Sequence, residues 1–146
     1  MTGRKKQEWL SFIEQFYDEI EQWLKPYSAQ GKLEYDYYSI NLTEEYIGNY
    51  AVKAMGIRFA GQQIKIKPIG TTLIGTSGRI DMEGVRGRIQ FILANKDSKG
   101  FNISTNKSKK QSDLTWKIVL KEQRQIFYDE FNEENFFAAL MEIVND

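Results

Sequence analysis

Neither cysteine nor histidine occurs in the sequence, and each absence removes a class of chemistry. Without cysteine there can be no disulfide, no thiolate nucleophile and no cysteine-ligated metal. Without histidine the chain lacks the side chain whose unperturbed pKa lies nearest neutrality, the usual general base and metal ligand. Ser-His-Asp and Cys-His catalysis and the common zinc sites are therefore excluded. An enzyme built on this chain would have to use carboxylates, lysine, tyrosine, hydroxyls or a Mg²⁺ ion held by oxygen ligands.

Long apolar runs are missing as well. The longest uninterrupted runs are only a few residues, whereas a helix that crosses a bilayer needs roughly 18 or more. The first residues are polar and basic and lead into an amphipathic segment, so they lack the apolar core of a signal peptide. Together with the absence of cysteine, these features predict a cytoplasmic protein that does not enter a membrane.

The remaining composition is typical of a globular domain. The 146 residues are 41% hydrophobic, 14% aromatic and 27% charged, which is enough apolar content to bury a full core. No internal repeat and no linker divides the chain. We therefore expect a single domain over residues 1–146.

Charge is balanced overall, at 20 Lys/Arg and 20 Asp/Glu, but it is unevenly distributed. Residues 1–52 hold five basic and nine acidic residues, residues 53–124 hold fifteen and five, and residues 125–146 hold none and six. A basic middle between acidic ends creates local potentials to which partners respond. The complementary blocks would also allow the chain to associate with itself.

Apolar periodicity predicts the secondary structure. A helical stripe over residues 4–25 predicts an amphipathic helix that ends at Pro26. From Leu33 to Asp129, short apolar–polar alternations separated by turn signals predict six or seven antiparallel strands. Asn132 followed by two glutamates predicts the N-cap of a C-terminal helix.

These elements predict an α+β fold: an N-terminal amphipathic helix, a six- to seven-stranded antiparallel meander sheet and a C-terminal helix. Each helix carries one apolar stripe, so we expect both to pack on the same face of the sheet. In the first two strands the apolar residues change from one alternation to the other, near Tyr37–Tyr38 and near Gly56. One inserted residue at each place would produce this change, so the pattern predicts two β-bulges.

The alternation also predicts a basic face on the sheet. If the apolar residues of the central strands point inward, six cations point outward: Lys65, Lys67, Arg79, Arg88, Lys117 and Lys121. Asp81, Glu83 and Gln90 share that face. A basic sheet face can bind an acidic protein surface or nucleic-acid phosphates, although it is also typical of a solvated face whose charges discourage edge pairing. The outward set lacks the interleaved aromatic residues with which single-strand binders stack on bases.

Three other segments are open to a functional interpretation. Residues 97–113 form a lysine-rich polar tract, either a mobile functional loop or an ordinary solvated one. The glycine-rich residues 70–79 lack the Gly-Lys-Ser/Thr ending of a phosphate loop, and hairpin turns explain them better. A tyrosine cluster around the first hairpin would suit a ligand pocket or an interface, but core and rim packing explains it more simply. It comprises Tyr35, Tyr37, Tyr38, Tyr46 and Tyr50.

Gly78-Arg79-Ile80-Asp81 resembles the first half of the active-site motif of PD-(D/E)xK nucleases, in which a strand carrying Asp precedes a strand carrying Glu-x-Lys. The next strand of this chain reads Gln90-Phe91-Ile92, and Lys96 lies six positions after Gln90. The second acidic ligand and the lysine of that motif are therefore missing. The sequence accordingly predicts no catalytic residue, no metal site and no cofactor.

Three functional hypotheses follow. The preferred one is a non-catalytic binding or accessory protein, immunity- or adaptor-like, that meets a protein partner through a macromolecular interface. The second is a nucleic-acid-associated protein that uses the basic sheet face. The third is a degenerate Mg²⁺-dependent nuclease-like enzyme centred on Asp81 and Glu83.

Overall fold

The computed structural model describes residues 2–45, 47–71, 78–98 and 113–144. In chain order the elements are α1 (Thr2–Ala29), β1 (Leu33–Glu44), β2 (Gly48–Phe59), β3 (Gln62–Gly70), β4 (Arg79–Gly84), β5 (Gly87–Asn95), β6 (Leu114–Glu122), β7 (Gln125–Glu130) and α2 (Glu133–Ile143). Each strand pairs antiparallel with the next, so these strands form one sheet in the order β1 to β7. The predicted α+β fold with an antiparallel meander sheet is confirmed.

Both helices pack on the same face of the sheet, where Phe91 of β5 contacts each of them. The Phe91 ring meets Phe16 of α1 edge-on, with centroids 5.0 Å apart, and stacks on Phe136 of α2 at 6.3 Å. Trp116 of β6 adds a second link to α1, because its Nε1 donates a hydrogen bond to the carbonyl oxygen of Phe12 over 3.0 Å. The apolar stripes of both helices are therefore buried in one core. In the described parts of the chain, no helix combines the length and the apolar composition that crossing a bilayer requires.

The expectation that α1 ends at Pro26 is wrong, because the helix continues through Pro26 to Ala29. Proline removes one backbone donor, but its φ is compatible with a helix. The additional turn brings the ring of Tyr27 to that of Phe137 in α2, with centroids 5.2 Å apart. The helix is instead terminated by Gly31, whose φ of 74° is one that glycine adopts freely. The N–H groups of Gly31 and Lys32 donate to the carbonyl oxygens of Ser28 and Tyr27, at 3.0 and 2.9 Å.

The change of alternation along the first hairpin is present, but the β-bulges predicted near Tyr37–Tyr38 and Gly56 do not occur in these described strands. β1 and β2 pair in unbroken register along their whole length, and both strands exchange their buried side at the same level. β2 pairs with β3 only as far as Met55 opposite Ile66. Beyond that point the hairpin is free to coil away from the sheet and turn its other side toward the core.

A buried carboxylate holds this coiled part of the hairpin in place. Glu44, at the end of β1, accepts hydrogen bonds from the Thr71 N–H at 2.8 Å and from the Thr71 hydroxyl at 2.7 Å. The Tyr50 hydroxyl donates to the other oxygen of Glu44 and accepts a hydrogen bond from Trp9 Nε1 at 2.9 Å. A buried carboxylate is tolerated when such donors replace its water. The four side chains therefore join β1, β2, the end of β3 and α1.

Two further tyrosines bind the hairpin to the middle of α1. The Tyr17 hydroxyl of α1 donates to the carbonyl oxygens of Lys53 at 2.8 Å and Ile66 at 3.3 Å. In the opposite direction, the Tyr37 hydroxyl of β1 donates to Glu21 Oε2 of α1 at 2.5 Å. The rings of the two tyrosines also meet edge-on at 5.3 Å. Each phenol thus has a defined acceptor at the boundary between helix and sheet.

These phenols are held protonated in the folded chain. Burial raises the pKa of Tyr17 well above the usual value of 10.0. Burial also raises the pKa of Tyr37, and the hydrogen bond to Glu21 raises it further. The pKa of Tyr50 is raised first by burial and then by its hydrogen bond to Glu44. The unfolded chain would ionise all three at a pH at which the folded chain does not.

We expect the free energy of unfolding to fall as the pH rises above about 10, the pKa of tyrosine in the unfolded chain. The folded-state pKa is the raised one, so this stabilisation is complete below that pH and decreases above it by about 1.4 kcal/mol per pH unit for each phenol that only the unfolded state ionises. Urea unfolding followed by tryptophan fluorescence between about pH 8 and pH 11 measures the slope. Tyr17→Phe should make the slope shallower, and an unchanged slope would contradict the role given to Tyr17.

Candidate interaction surface

The sheet face opposite the helices, which we call the outer face, carries the six cations identified in the sequence. Lys65 and Lys67 lie on β3, Arg79 on β4, Arg88 on β5, and Lys117 and Lys121 on β6. Directly opposite residues of neighbouring strands share a face. Glu83 lies opposite both Lys65 and Arg88. Ile92 of β5 likewise lies opposite one residue of β4 and one residue of β6, which extends this face from β4 to β6. The register therefore gathers the cations on one side, while their use in binding stays a prediction.

Arg79 is already engaged by a carboxylate of its own strand. Its Nε lies 2.7 Å from Asp81 Oδ1, and its Nη2 lies 2.8 Å from Oδ2. Asp81 is only 4% exposed, and Arg88 Nη1 stands 3.8 Å from the same carboxylate. The hydrogen bonds to Asp81 raise the pKa of Arg79, which keeps the charge-assisted pair ionised. Arg79 thus serves to neutralise a nearly buried carboxylate.

The other five cations differ in how strongly they are held. Lys117 Nζ donates a hydrogen bond to the carbonyl oxygen of Lys96 at 2.9 Å. Lys65, Lys67 and Lys121 form no ion pair with the described part of the chain. Lys65, Lys121 and Arg88 are exposed, and Lys67 is half-buried. A partner approaching the outer face would therefore meet mainly these four side chains.

Carboxylates also lie among the cations of the outer face. Asp81 and Glu83 lie between the cations of β3 and those of β5. On β7, Glu130 lies opposite Lys117. The outer face is consequently a patterned surface of both signs, with a positive excess on β3 to β6. Sequence patterning missed Glu130, because its side is fixed only by the β6–β7 register.

The sheet opens between β5 and β6. Their pairing stops at Phe91 opposite Ile118, although both strands continue beyond that point. The separated ends enclose a cleft of about 430 Å³, lined by Arg88, Ile89, Gln90, Val119, Leu120, Lys121, Glu122 and Glu142. Two of the six cations, Arg88 and Lys121, are therefore brought together at a concave site. No signal in the sequence pointed to this cleft, because it depends on where a strand pairing ends.

Each wall of the cleft is held by a different contact. The β4–β5 turn is tied to the end of α2, since the Arg86 N–H donates to the carbonyl oxygen of Ile143 at 3.0 Å. Gly84 permits this approach, because a Cβ at that position would collide with the same oxygen. β6 instead continues into β7 through a tight turn at Gln123–Arg124, where both residues have positive φ. The two hairpins therefore diverge while each remains paired internally.

The two carboxylates of the segment that resembles a nuclease motif both have cations as neighbours. Both oxygens of Asp81 are hydrogen-bonded to Arg79, and Glu83 lies opposite Lys65 and Arg88. Among the described residues, no group of three or more acidic side chains is close enough to hold a metal ion. The third hypothesis would require Asp81 to exchange a bidentate arginine for a metal.

The remaining sequence predictions have mixed outcomes. In the tyrosine cluster, Tyr35 and Tyr37 bond to Glu21, and Tyr50 bonds to the buried Glu44, so these members serve packing. Tyr46 lies outside the described residues, as do residues 72–77 of the glycine-rich segment and residues 99–112 of the lysine-rich tract.

We expect Asp81→Asn to lower the free energy of unfolding by about 1–3 kcal/mol, because Arg79 loses a charged acceptor in a largely buried position. Glu83→Gln makes the same change of charge at an exposed position of the same strand, and it should cost less than about 0.5 kcal/mol. Urea unfolding of both variants measures the difference. If Mg²⁺ raised the melting temperature of the original protein but not that of Asp81→Asn, Asp81 would be a metal ligand instead.

Comparison of the chain with protein-family models, with curated proteins and with solved structures found no match.

Proposed function

We propose that the protein is a non-catalytic binding or accessory protein, immunity- or adaptor-like, that recognises a protein partner through its outer face. The observation that carries the proposal is the register that gathers six cations opposite the helix-covered side. Among them, Lys65, Lys67 and Lys121 have no ion-pair partner in the described chain. Their charge is available to an acidic partner without the loss of an internal contact.

The alternation of charge signs favours a protein over a nucleic acid. A nucleic-acid backbone presents phosphates at regular intervals, and binding strength grows with the number that are neutralised. Glu83 and Glu130 lie among the cations of the outer face and would repel such a backbone. A protein surface can match the pattern by placing carboxylates opposite the lysines and a cation opposite Glu83.

The arrangement around Asp81 supports a non-catalytic role. A Mg²⁺-dependent nuclease needs free carboxylate oxygens to hold the ion and activate water. Both oxygens of Asp81 are taken by Arg79, and the group is almost fully buried. We further propose that the partner is met in the cytoplasm, because a chain without cysteine gains nothing from an oxidising compartment.

Charge reversal on the outer face tests the proposal. We expect immobilised Lys65→Glu/Lys67→Glu to lose a stoichiometric protein that the original chain captures from an extract of its native cell, because two attractions become repulsions. Lys25→Glu/Lys32→Glu is the matched control, since it makes the same change of charge at exposed positions near the end of α1. Mass spectrometry and gel densitometry of the captured protein measure the outcome. Equal capture by both variants would contradict the role of the outer face.

Binding to nucleic acid distinguishes the second hypothesis. We expect fluorescence anisotropy with duplex DNA and with single-stranded RNA to show no tight binding, because the carboxylates of the outer face oppose the phosphates. Tight binding that weakens steeply with salt, and that is lost in Lys65→Glu/Lys67→Glu but kept in Lys25→Glu/Lys32→Glu, would replace the protein partner with a nucleic acid.

A further inference from the structure

We propose that two copies of the chain associate through the open edge of β7, in an antiparallel register with Phe127 of each copy at the two-fold axis. The inference goes beyond the proposed function and does not depend on the charges of the outer face. It is carried by three features of β7: the backbone groups that it leaves unpaired, the apolar side chains that it exposes, and a register in which the strand is complementary to itself.

β7 forms one border of the sheet, because in the described chain it pairs only with β6. Strand edges are normally protected against pairing by charged residues, proline or a bulge. Residues 125–128 contain neither charge nor proline, and the β6–β7 register is unbroken. At the other border, β1 carries Glu34 and Asp36 at exposed positions. The first four residues of β7 are therefore an edge without these protections.

The turn at Gln123–Arg124 determines which backbone groups face the open edge. Both turn residues have positive φ, and in such a two-residue turn the flanking residues, Glu122 and Gln125, form a hydrogen-bonded pair. Successive residues of a strand direct their N–H and C=O groups to opposite neighbours. Odd-numbered residues of β7 therefore bond to β6, and even-numbered residues direct their backbone groups toward the open edge.

The open edge ends at Glu130, because both of its outward backbone groups are already bonded. The Glu130 N–H donates to Asp129 Oδ1 at 3.0 Å, and the Glu130 carbonyl oxygen accepts a hydrogen bond from Asn135 Nδ2 at 2.9 Å. Ile126 and Tyr128 have no such partners on this side within the described chain. Their two N–H and two C=O groups are thus available to another strand.

A second copy of β7 matches these four groups in one register. With Phe127 at the two-fold axis, Ile126 of each copy lies opposite Tyr128 of the other, and all four groups of each copy bond across the interface. A register centred on Tyr128 would need the occupied groups of Glu130. A register centred on Ile126 would leave Tyr128 opposite the turn residue Arg124. Each alternative therefore loses hydrogen bonds that the proposed register makes.

The side chains favour the same register. On the helix side, the two Phe127 rings, each 42% exposed in the single chain, would meet at a non-hydrogen-bonded pair, where side chains are closest. On the other side, Ile126, which is 44% exposed, would pack against the half-buried Tyr128 of the second copy. Arg124 would come opposite Glu130, and neither forms an ion pair within the described chain. The pairing thus removes apolar surface from water and brings opposite charges together.

The two-fold axis of this dimer stands perpendicular to the sheet. The outer faces of the two copies therefore lie side by side on the same side of one continuous sheet. A partner with two acidic sites could then be held by both outer faces at once. Because few side chains take part, we expect a weak and reversible dimer.

Crosslinking through an introduced cysteine tests the register, because the natural chain contains none. The two Cα atoms of position 127 would lie about 4.5 Å apart across the axis, which a disulfide can span. We expect Phe127→Cys, treated with diamide, to form a covalent dimer about tenfold faster or more than Gln125→Cys. Gln125 lies on the same side of the same strand, but its Cα would be about 14 Å from that of its copy. Non-reducing gel electrophoresis measures both rates.

Sedimentation equilibrium and amide exchange test the original chain. We expect a dimer to become populated between about 10 μM and 1 mM, and to persist in about 0.5 M NaCl because hydrogen bonds and apolar contacts hold it. The amides of Ile126 and Tyr128 should exchange with solvent about tenfold more slowly at the high concentration than at the low one. The amide of Phe127, which bonds to β6, should change little.

Matched variants separate edge pairing from other kinds of association. Ile126→Pro removes an outward donor and leaves the hydrogen bonds to β6 intact, so it should abolish the dimer. Phe127→Lys places two ammonium groups at the axis and should raise the dissociation constant of the dimer by about tenfold or more. Val85→Lys makes the same change of charge at an exposed apolar residue of the β4–β5 turn, and it should leave that constant within about a factor of two. Urea unfolding shows that each variant is folded.

Several outcomes would overturn the inference: a monomer at about 1 mM, equal crosslinking of Phe127→Cys and Gln125→Cys, or a dimer that survives Ile126→Pro. A dimer that dissociates in about 0.5 M NaCl, and that Phe127→Lys and Val85→Lys affect equally, would also overturn it and would indicate association of the oppositely charged parts of the chain. The capture experiment is independent of these results, because its variants lie on β3 and near the end of α1.

Discussion

The ring of Phe16 determines how the helices and the sheet meet. It is fully buried in α1, and it contacts Phe91 of β5 at 5.0 Å, Trp116 of β6 at 5.1 Å and Phe131 at the entry to α2 at 5.0 Å. Such aromatic contacts stabilise a core beyond the area that they bury. Because one side chain contacts both the sheet and the segment that leads into α2, the two helices are committed to the same side, and the opposite side is left to the charged residues.

This one-sided packing also explains where the sheet opens. α2 follows β7 and ends against the β4–β5 turn, where the Arg86 N–H bonds to Ile143. That contact holds β5 near the helix, whereas the end of the β6–β7 hairpin has no equivalent hydrogen bond to α2 among the described residues. Phe127, which lies opposite Leu120 on the helix side of the sheet near this end, is 42% exposed, so the core does not draw the hairpin inward. A helix that is too short to cover both hairpins thus leaves the cleft between them.

Local sequence patterns were sufficient to predict the helices and strands. They failed where a contact between residues far apart in the sequence determines the structure. The cap at Asn132 was predictable because its side chain accepts a hydrogen bond from the nearby Asn135 N–H at 2.8 Å. The continuation of α1 through Pro26 was not predictable, since it depends on a contact with α2. The two predicted β-bulges were wrong because unequal strand pairing produces the same alternation. For the site, the sequence could predict which cations share the outer face. It could not predict that Arg88 and Lys121 line one cleft, because the cleft depends on where the β5–β6 pairing ends.

The outer face and the cleft would contribute to recognition in different ways. Dispersed lysines act at long range, so they mainly accelerate the encounter with an acidic partner and lose effect as salt screens them. Short-range contacts inside a cleft act only after the partner has docked, so they mainly slow dissociation. Arg88 belongs to both, because it lines the cleft and also lies 3.8 Å from the Asp81 carboxylate that Arg79 holds. Because both oxygens of Asp81 are hydrogen-bonded to Arg79, a ligand that engages Arg88 would still leave Asp81 neutralised.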